Sequence, residues 1–367
     1  MSRHEAFTFL CSLLNPFSGD NAQEQLSQDL RAPSFTWEEL VVVASEQRVS
    51  AMLKMALDRH NLTAFLPRDL VEYFEGVEEL NGQRNAQIYD QCIRVATILN
   101  GIGVSPVFLK GSGCLLADLF ESRAHRVMLD IDLLVPHELL FDCVAALKAA
   151  GYDEHEHDLI ADPRSHHYPP MFHSAGIVEI ELHSEVIAFP NGELLAAEDV
   201  ISSAHEVVKD NAKFKIPSAE HRIVHVTAHA QVTDQNYVHG FFVLRQFLEC
   251  LVLVKNSDAP IKWLEIENRF KRVGKPLAYA CQIVSLNDLF GVDFPLPTKS
   301  ATMAKLFHKR ALFQIEFPRM STRLSRLIRP VTLLYRSLND RILTRRLFAN
   351  MFKPAWIKRH WQRLLGK

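Results

Sequence analysis

The chain has 367 residues, of which 48% are hydrophobic, and its 41 basic and 43 acidic side chains leave a formal net charge of −2. This length predicts two or three domains, and the apolar content is ample for a hydrophobic core. The six cysteines are scattered without a Cys-x-x-Cys pair, which argues against a disulfide framework or a zinc site. No run of 18 apolar residues is present, which argues against a membrane-spanning helix.

Residues 1–100 have a helical pattern, because apolar residues recur there at intervals of three and four. The predicted helices cover residues 4–14, 37–46, 49–60, 67–80 and 81–100. The first five residues have no signal-peptide pattern, so we expect a cytoplasmic location. Peripheral binding at the inner membrane surface is the alternative.

At Gly101 the pattern changes, and short strands begin to alternate with helices. The predicted strands cover residues 106–109, 128–135, 152–157, 167–173 and 177–186, and the predicted helices between them cover residues 113–121 and 137–150. This mixture predicts an α+β fold, with a small mixed α/β core at residues 101–218.

Helices return at about residue 219 and are followed by a basic tail. The predicted helices cover residues 221–231, 240–255, 261–273 and 276–289. Residues 301–367 contain 16 basic and two acidic side chains, a formal charge of +14, whereas residues 1–300 carry −16. The predicted domains are therefore two helical subdomains at 1–100 and 219–300, the core at 101–218, and a basic, helical tail at 301–367.

Two acidic residues, Asp130 and Asp132, lie two positions apart in a predicted apolar strand. Side chains alternate across a strand, so both carboxylates point to the same face. Neighbouring carboxylates are costly to bury unless a cation neutralises them, and Mg²⁺ favours carboxylate and phosphate oxygens. The pair therefore predicts a magnesium site. The alternative is an exposed strand with two incidental acids.

A turn at Gly111 and Ser112 follows the first predicted strand. Glycine lets a phosphate approach the backbone, serine can donate a hydrogen bond to it, and the next helix adds free N–H groups. Lys110 and Arg126 are further candidate phosphate contacts. The alternatives are an ordinary strand-to-helix turn and structural ion pairs.

Three histidines, His221, His225 and His229, recur every fourth residue and so share one face of a predicted helix. This spacing permits metal binding, but no acidic ligand accompanies them in a known zinc arrangement. We expect them to pack against the core or to line the acceptor side of a cleft.

The order of these motifs resembles a bacterial family of uncharacterised nucleotidyltransferases, within the superfamily that includes DNA polymerase β. The resemblance covers roughly residues 95–185 and rests on Leu109-Lys110-Gly111, Arg126, Asp130-Ile131-Asp132-Leu133-Leu134-Val135 and Glu181-Leu182-His183. It implies a minimal nucleotidyltransferase core between helical subdomains. It also implies transfer of a nucleoside monophosphate from an NTP, with ATP as the default donor, to a hydroxyl group, releasing pyrophosphate.

The resemblance also implies roles for individual residues. Asp130, Asp132 and Glu181 would be catalytic and would bind Mg²⁺, with Mn²⁺ as the alternative ion. Glu181 would bind the second metal ion and act as general base, and Glu179 is the alternative third acid. Many relatives have Asp at the position of Glu181, so the longer side chain changes the expected geometry.

The sequence leaves the acceptor open among a small molecule, a sugar, a peptide or protein side chain, and an RNA end. Two other functions remain as alternatives. One is a catalytically silent nucleotide-binding or scaffold protein that docks on a membrane or partner through its tail, and the other is an RNA-modifying nucleotidyltransferase. The tail at 301–367 itself has three interpretations: packing on the acidic body, contact with an anionic membrane, or contact with nucleic acid.

Overall fold

The structure is a computed structural model that describes residues 1–19, 21–154, 166–297 and 300–320. It is mainly helical and contains one mixed sheet, which confirms the predicted α+β fold. The helices are α1 Arg3–Leu14, α2 Asn21–Arg31, α3 Trp37–Glu46, α4 Leu53–Arg59, α5 Arg68–Asn100, α6 Lys110–Leu116, α7 Leu140–Ala149, α8 Ala197–Ser203, α9 Ala219–Ala228, α10 Asn236–His239, α11 Leu244–Lys255, α12 Trp263–Arg272, α13 Pro276–Phe290 and α14 Ala301–Glu316. The strands are β1 Val107–Phe108, β2 Asp130–Leu134, β3 Asp153–Glu154, β4 Met171–Phe172, β5 Glu179–His183, β6 His205–Lys209 and β7 Ala212–Ile216.

The seven strands form one sheet in the order β3-β4-β5-β2-β1-β7-β6. Strand β2 lies near the centre, where it pairs in parallel with β5 and antiparallel with β1. Strand β1 pairs in parallel with β7, and the remaining pairs are antiparallel. The acidic strand β2 is therefore flanked on both sides, and its backbone position is set by two neighbours.

The two faces of the central strands have different surroundings. Ile131 and Leu133 of β2 are fully buried, together with Ile180 and Leu182 of β5, in a core that also includes apolar residues of α5 and α7. Because side chains alternate, the opposite face of β2 carries Asp130 and Asp132. The apolar face anchors the sheet and so holds the acidic face in a fixed register.

Helices from the two ends of the chain share a second core. The rings of Phe7 in α1 and Phe242 are stacked at 5.5 Å. Nε of Arg3 donates a hydrogen bond to the carbonyl of Ile315 in α14 at 3.1 Å. The N-terminal helices thus pack directly on the C-terminal ones beside the sheet. The division into four predicted domains stays a prediction.

Several predicted elements differ from the observed ones. Residues predicted as two helices, 67–80 and 81–100, form the single helix α5, because the side chains of Asn81 and Asn85 bond to carbonyls of the 121–126 segment and do not cap a new helix. The helix predicted at 113–121 begins at Lys110 and ends at Leu116. Helix α2 and the β6–β7 hairpin were not predicted.

No described helix is long and apolar enough to cross a membrane. The described part of the basic tail is α14 and the four residues after it, and α14 packs against α13 and α1. The predictions for residues 321–367 lie outside the described residues, as does the part of the predicted strand at 152–157 that follows residue 154.

Candidate active site

The sheet brings together three polar side chains from two neighbouring strands, which we name the acidic group: Asp132 of β2 and Glu181 and His183 of β5. The parallel register places Asp132 beside Glu181, and His183 follows two residues later on the same face. Nε2 of His183 lies 3.0 Å from Oδ1 of Asp132 and 3.5 Å from Oε2 of Glu181. The ligand atoms of all three lie within 4.8 Å of one another.

Asp130 lies at the start of β2, beside the acidic group. It is paired in register with Glu179 and is half-buried, whereas Glu179 is exposed. Burial and the neighbouring charge of Asp132 both raise the pKa of Asp130. Of the two alternative third acids in the sequence, the structure therefore places Glu181, and not Glu179, in contact with the buried group.

Lys110 supplies the positive charge next to these carboxylates. Its Nζ donates a hydrogen bond to Oδ1 of Asp132 at 2.6 Å. Its φ of +41° lies in the left-handed region, which is strained for a residue with a side chain. Burial lowers the pKa of Lys110, but the charge of Asp132 and the hydrogen bond raise it above its ordinary value. The lysine is thus a fixed cation at the junction of β1 and α6.

The same contacts keep Asp132 ionised. Burial raises the pKa of its carboxyl, but Lys110 and His183 lower it well below the ordinary value. Burial lowers the pKa of His183, while hydrogen bonds to Asp132 and Glu181 raise it overall. The buried carboxylate therefore has the charge that a divalent cation needs.

One oxygen of this carboxylate has no hydrogen-bond partner in the part of the chain that the structure describes. Oδ2 of Asp132 is buried and makes no hydrogen bond to any described residue, and the same holds for Nδ1 of His183. A buried polar atom without a partner is costly, and a bound cation would satisfy it. Carboxylate oxygens suit Mg²⁺ and Mn²⁺. The residues present thus fit the divalent metal that the sequence predicts.

The turn after β1 is tightly packed. The hydroxyl of Ser112 is fully buried and lies 2.8 Å from the carbonyl oxygens of both Leu109 and Asp132, so it ties the turn to β2. A methyl group on Gly111 would lie 2.2 Å from Nη1 of Arg126, so glycine is needed for this approach. Ser112 therefore bonds within the protein, and Gly111 makes room for the arginine.

Arg126 is held by a buried ion pair. Its Nε donates a hydrogen bond to Oε2 of Glu249 in α11 at 3.1 Å. Side-chain exposure is 11% for Arg126 and 6% for Glu249, so water screens this pair little. Burial raises the pKa of Glu249, but Arg126, Arg245 and Arg222 lower it below the ordinary value.

A cavity of about 180 Å³ lies between the sheet and the C-terminal helices. Its sheet side includes Lys110, Asp130 and Asp132, whereas Gly111, Ser112 and Glu181 do not line it. The opposite side consists mainly of residues from α9 and α11, and Arg126 lies between the two. Four of the seven predicted site residues thus line one cavity, and the other three do not.

The three regularly spaced histidines all line this cavity. His221 bonds to Ser203, and burial lowers its pKa. Burial and the charge of Lys110 hold the pKa of His225 well below its ordinary value. His229 bonds to the side chain of Gln246. Of the two predicted positions, lining a cleft therefore describes them better than packing in the core.

A profile of a family described as uncharacterised nucleotidyltransferase matches residues 33–291. The chain belongs to this family. Family membership makes it a transferase of phosphorus-containing groups, which confirms the predicted enzyme class. The matched range contains the acidic group and every residue that lines the cavity. No curated protein and no solved structure gives a significant match.

Four charged residues that line the cavity were not predicted from the sequence: Arg48, Arg222, Arg245 and Glu249. Two of them could have been recognised, because Arg245 and Glu249 interrupt the apolar stretch from Phe241 to Val254. Charges inside such a run point to a buried pair or a cavity. No local sequence pattern indicates Arg48 or Arg222, because only the fold brings their elements to the cavity.

Proposed function

We propose that this protein is a metal-dependent nucleotidyltransferase that moves a nucleoside monophosphate from an NTP to a hydroxyl group. A bond forms between the acceptor oxygen and the α-phosphorus, the bond from that phosphorus to the β-phosphate oxygen breaks, and pyrophosphate leaves with the electron pair. The observation that carries the proposal is the unpartnered, buried Oδ2 of Asp132, which lies in a carboxylate group beside a cavity lined by cations.

Asp130, Asp132 and Glu181 would hold Mg²⁺, with Mn²⁺ as the alternative ion. Bound there, the metal would offset the negative charge that develops on the phosphoryl oxygens and lower the pKa of a coordinated hydroxyl. Glu181, whose pKa is lowered by its hydrogen bond to His183, would remain ionised to accept the acceptor proton or to bind a second ion.

Lys110, on the sheet side of the cavity, and Arg126, between its two sides, would support the phosphate charge. Lys110 already donates a hydrogen bond to Asp132, so its charge would lie near a phosphate bound next to the metal. Gly111 and Ser112 would contribute by fixing the turn: the serine hydroxyl holds it against β2, and the glycine seats Arg126.

The donor and the acceptor are the open parts of the proposal. ATP is the default donor, and the acceptor is a hydroxyl of a small molecule, a sugar, a peptide or protein, or an RNA end. The basic tail at 301–367 would contact an anionic membrane or nucleic acid through its formal charge of +14. We place the protein in the cytoplasm, with peripheral contact at the inner membrane as the alternative.

The test is thermal stabilisation by each NTP, with and without Mg²⁺, because a ligand that binds only the folded state raises its apparent stability. We expect at least one NTP to raise the melting temperature only when Mg²⁺ is present. The double variant Asp130→Asn/Asp132→Asn should lose this shift, whereas Asp90→Asn, which removes an exposed carboxylate of α5, should keep it. Equal shifts in the native protein and the double variant would contradict the proposal.

An NTP found in this way would then be used with an α-phosphate label to search for the acceptor. Label should move to the acceptor together with release of pyrophosphate. Binding of the NTP without release of pyrophosphate, across a broad set of acceptors, would favour the silent nucleotide-binding protein.

A further inference from the structure

The two sides of the cavity differ in charge. On the sheet side, Asp130 and Asp132 outnumber Lys110, so this side is acidic. The remaining lining includes four arginines and one carboxylate, that of Glu249. A ligand that spans the cavity therefore meets an acidic side that suits a metal ion and a strongly cationic side that suits an anion.

Only some of these cations are already neutralised. Nζ of Lys110 lies 2.6 Å from Oδ1 of Asp132, and Nε of Arg126 lies 3.1 Å from Oε2 of Glu249. The other three arginines, which we name the arginine group, make no ion pair within 4.0 Å in the described part of the chain. They are Arg48, Arg222 and Arg245.

Arg245 shows the clearest need for an anion. Its Nε is buried and makes no hydrogen bond to any described residue. Burial, helped by the charge of Arg126, lowers its pKa to about 10. A guanidinium remains charged at neutral pH even so, and burying it is costly unless a counter-charge balances it. The nearby charge of Glu249 raises the pKa of Arg245, but Glu249 already forms an ion pair with Arg126. An anion in the cavity would offset the remaining cost.

The side chain of Arg222 and the backbone turn that bears Arg48 are held by other parts of the protein. Nη2 of Arg222 donates a hydrogen bond to Sγ of Cys114 at 3.3 Å. Arg48 has a left-handed φ of +58°. Its neighbour Gln47 is buried and accepts a hydrogen bond at 2.8 Å from the backbone N–H of Leu244, the residue before Arg245. The turn that bears Arg48 is thus tied to the start of α11.

We propose that Arg48, Arg222 and Arg245 form a polyphosphate subsite, which takes the β- and γ-phosphates of the NTP and then the pyrophosphate product. This inference rests on the proposed function and deepens it. Guanidinium groups bind phosphate oxygens through paired, charge-assisted hydrogen bonds. Three such groups beside the acidic, metal-binding side would stabilise the charge that grows on the leaving group.

The arginine group could equally bind a phosphate on the acceptor, so the experiment distinguishes the phosphates of the donor NTP from a phosphate on the acceptor. Binding of inorganic pyrophosphate to the full-length protein is measured by titration calorimetry in EDTA, which removes the contribution of a metal. We expect saturable binding to the native protein. Each of Arg48→Gln, Arg222→Gln and Arg245→Gln should weaken it about 10- to 100-fold, as expected for loss of a charge-assisted contact.

Controls separate a lost contact from a lost fold. Arg272→Gln, at an exposed position of α12, should leave the affinity for pyrophosphate unchanged. Arg48 is exposed, so its replacement tests the subsite without disturbing a core, and Arg245→Lys should retain part of the affinity through its charge. Absence of pyrophosphate binding to the native protein, or equal binding in the three glutamine variants, would overturn the inference.

Competition then assigns the phosphate to donor or acceptor. Saturating pyrophosphate should prevent the thermal shift caused by a mixture of ATP, GTP, CTP and UTP with Mg²⁺. If pyrophosphate and nucleotide bind together without interference, the subsite belongs to a phosphorylated acceptor, and the leaving-group assignment is wrong. Asp132→Asn should retain metal-free pyrophosphate binding while losing the Mg²⁺-dependent shift, so failure of the subsite and failure of the proposed function give different results.

Discussion

Two buried ion pairs line the same cavity, and they are built differently. In the pair of Arg126 and Glu249, no fully buried polar atom lacks a hydrogen-bond partner among the described residues. In the pair of Lys110 and Asp132, one carboxylate oxygen has no hydrogen-bond partner among the described residues, and the lysine backbone is strained. The buried atoms of the first pair are thus satisfied, whereas the second has capacity for a further ligand.

This difference separates a structural pair from a functional one. A satisfied buried pair contributes to the fold mainly because each charge would be costly without the other. An unsatisfied one keeps part of that cost in the folded protein, and a ligand can remove it. Substitutions in the two pairs should therefore affect different properties: mainly activity for Asp132, and mainly stability for Glu249.

The largest effect should follow from Asp132→Asn. The amide keeps the shape of the side chain but removes the charge that would bind the metal and that Lys110 and His183 neutralise. We expect kcat/KM for nucleotide transfer to fall about 10³-fold or more, because a preorganised charge at the reacting phosphate is lost. The measurement is steady-state transfer of labelled nucleotide. A fall of less than tenfold would place Asp132 outside the metal site.

Glu249→Gln should mainly affect stability. It leaves the buried guanidinium of Arg126 without its counter-charge, and loss of one partner of a buried pair costs about 3–5 kcal/mol in free energy of unfolding. Urea unfolding of both proteins gives this difference. The double variant Arg126→Met/Glu249→Leu should recover much of the loss. If the double variant is no more stable than Glu249→Gln, the ion pair between Arg126 and Glu249 is not what stabilises this part of the cavity lining.

Gly111→Ala tests how closely the turn next to Lys110 packs against the Arg126–Glu249 pair. The added methyl would lie 2.2 Å from Nη1 and 2.9 Å from Cζ of Arg126, so the guanidinium must shift from the position in which it pairs with Glu249. We expect a loss of about 1–3 kcal/mol in free energy of unfolding, typical of overpacking. The matched control is Gly76→Ala in α5, where a new methyl meets nothing within 4 Å. That change should stabilise the protein by about 0.5–1 kcal/mol.

The acidic residues of the candidate metal site were easier to predict from sequence than the partner of Arg126. Asp130 and Asp132 are close in sequence, and strand alternation puts them on one face, so local reasoning sufficed. The partner of Arg126 lies 123 residues away on α11, a separation that no local pattern can bridge. The sequence offered an ion pair as one alternative for this arginine, and the fold supplies Glu249 as its partner.

Other differences between the sequence prediction and the structure also arise from contacts between residues that are distant in sequence. The hydroxyl of Ser112 was predicted to be available to a phosphate, but pairing of β1 with β2 buries it against two carbonyls. The arginine group was not predicted, because its members lie in a turn after α3, in α9 and in α11. What sequence alone indicated was the acidic strand, the turn and the α+β class. The cationic side of the cavity required tertiary structure.

The smallest expected effect is the pH dependence of the Arg126–Glu249 pair. Because the pKa of Glu249 in the folded state lies below its ordinary value of 4.5, the pair contributes its full stability above that pH. The contribution is lost as the pH falls through the lower folded-state pKa, since protonation then removes the charge. The difference in unfolding free energy between the native protein and Glu249→Gln should therefore be constant from pH 7 to pH 5 and shrink in more acidic solution. A difference that persists unchanged in acid would mean that the glutamate acts through its shape and hydrogen bond. Its charge would then contribute little to the stability that the Arg126–Glu249 pair provides.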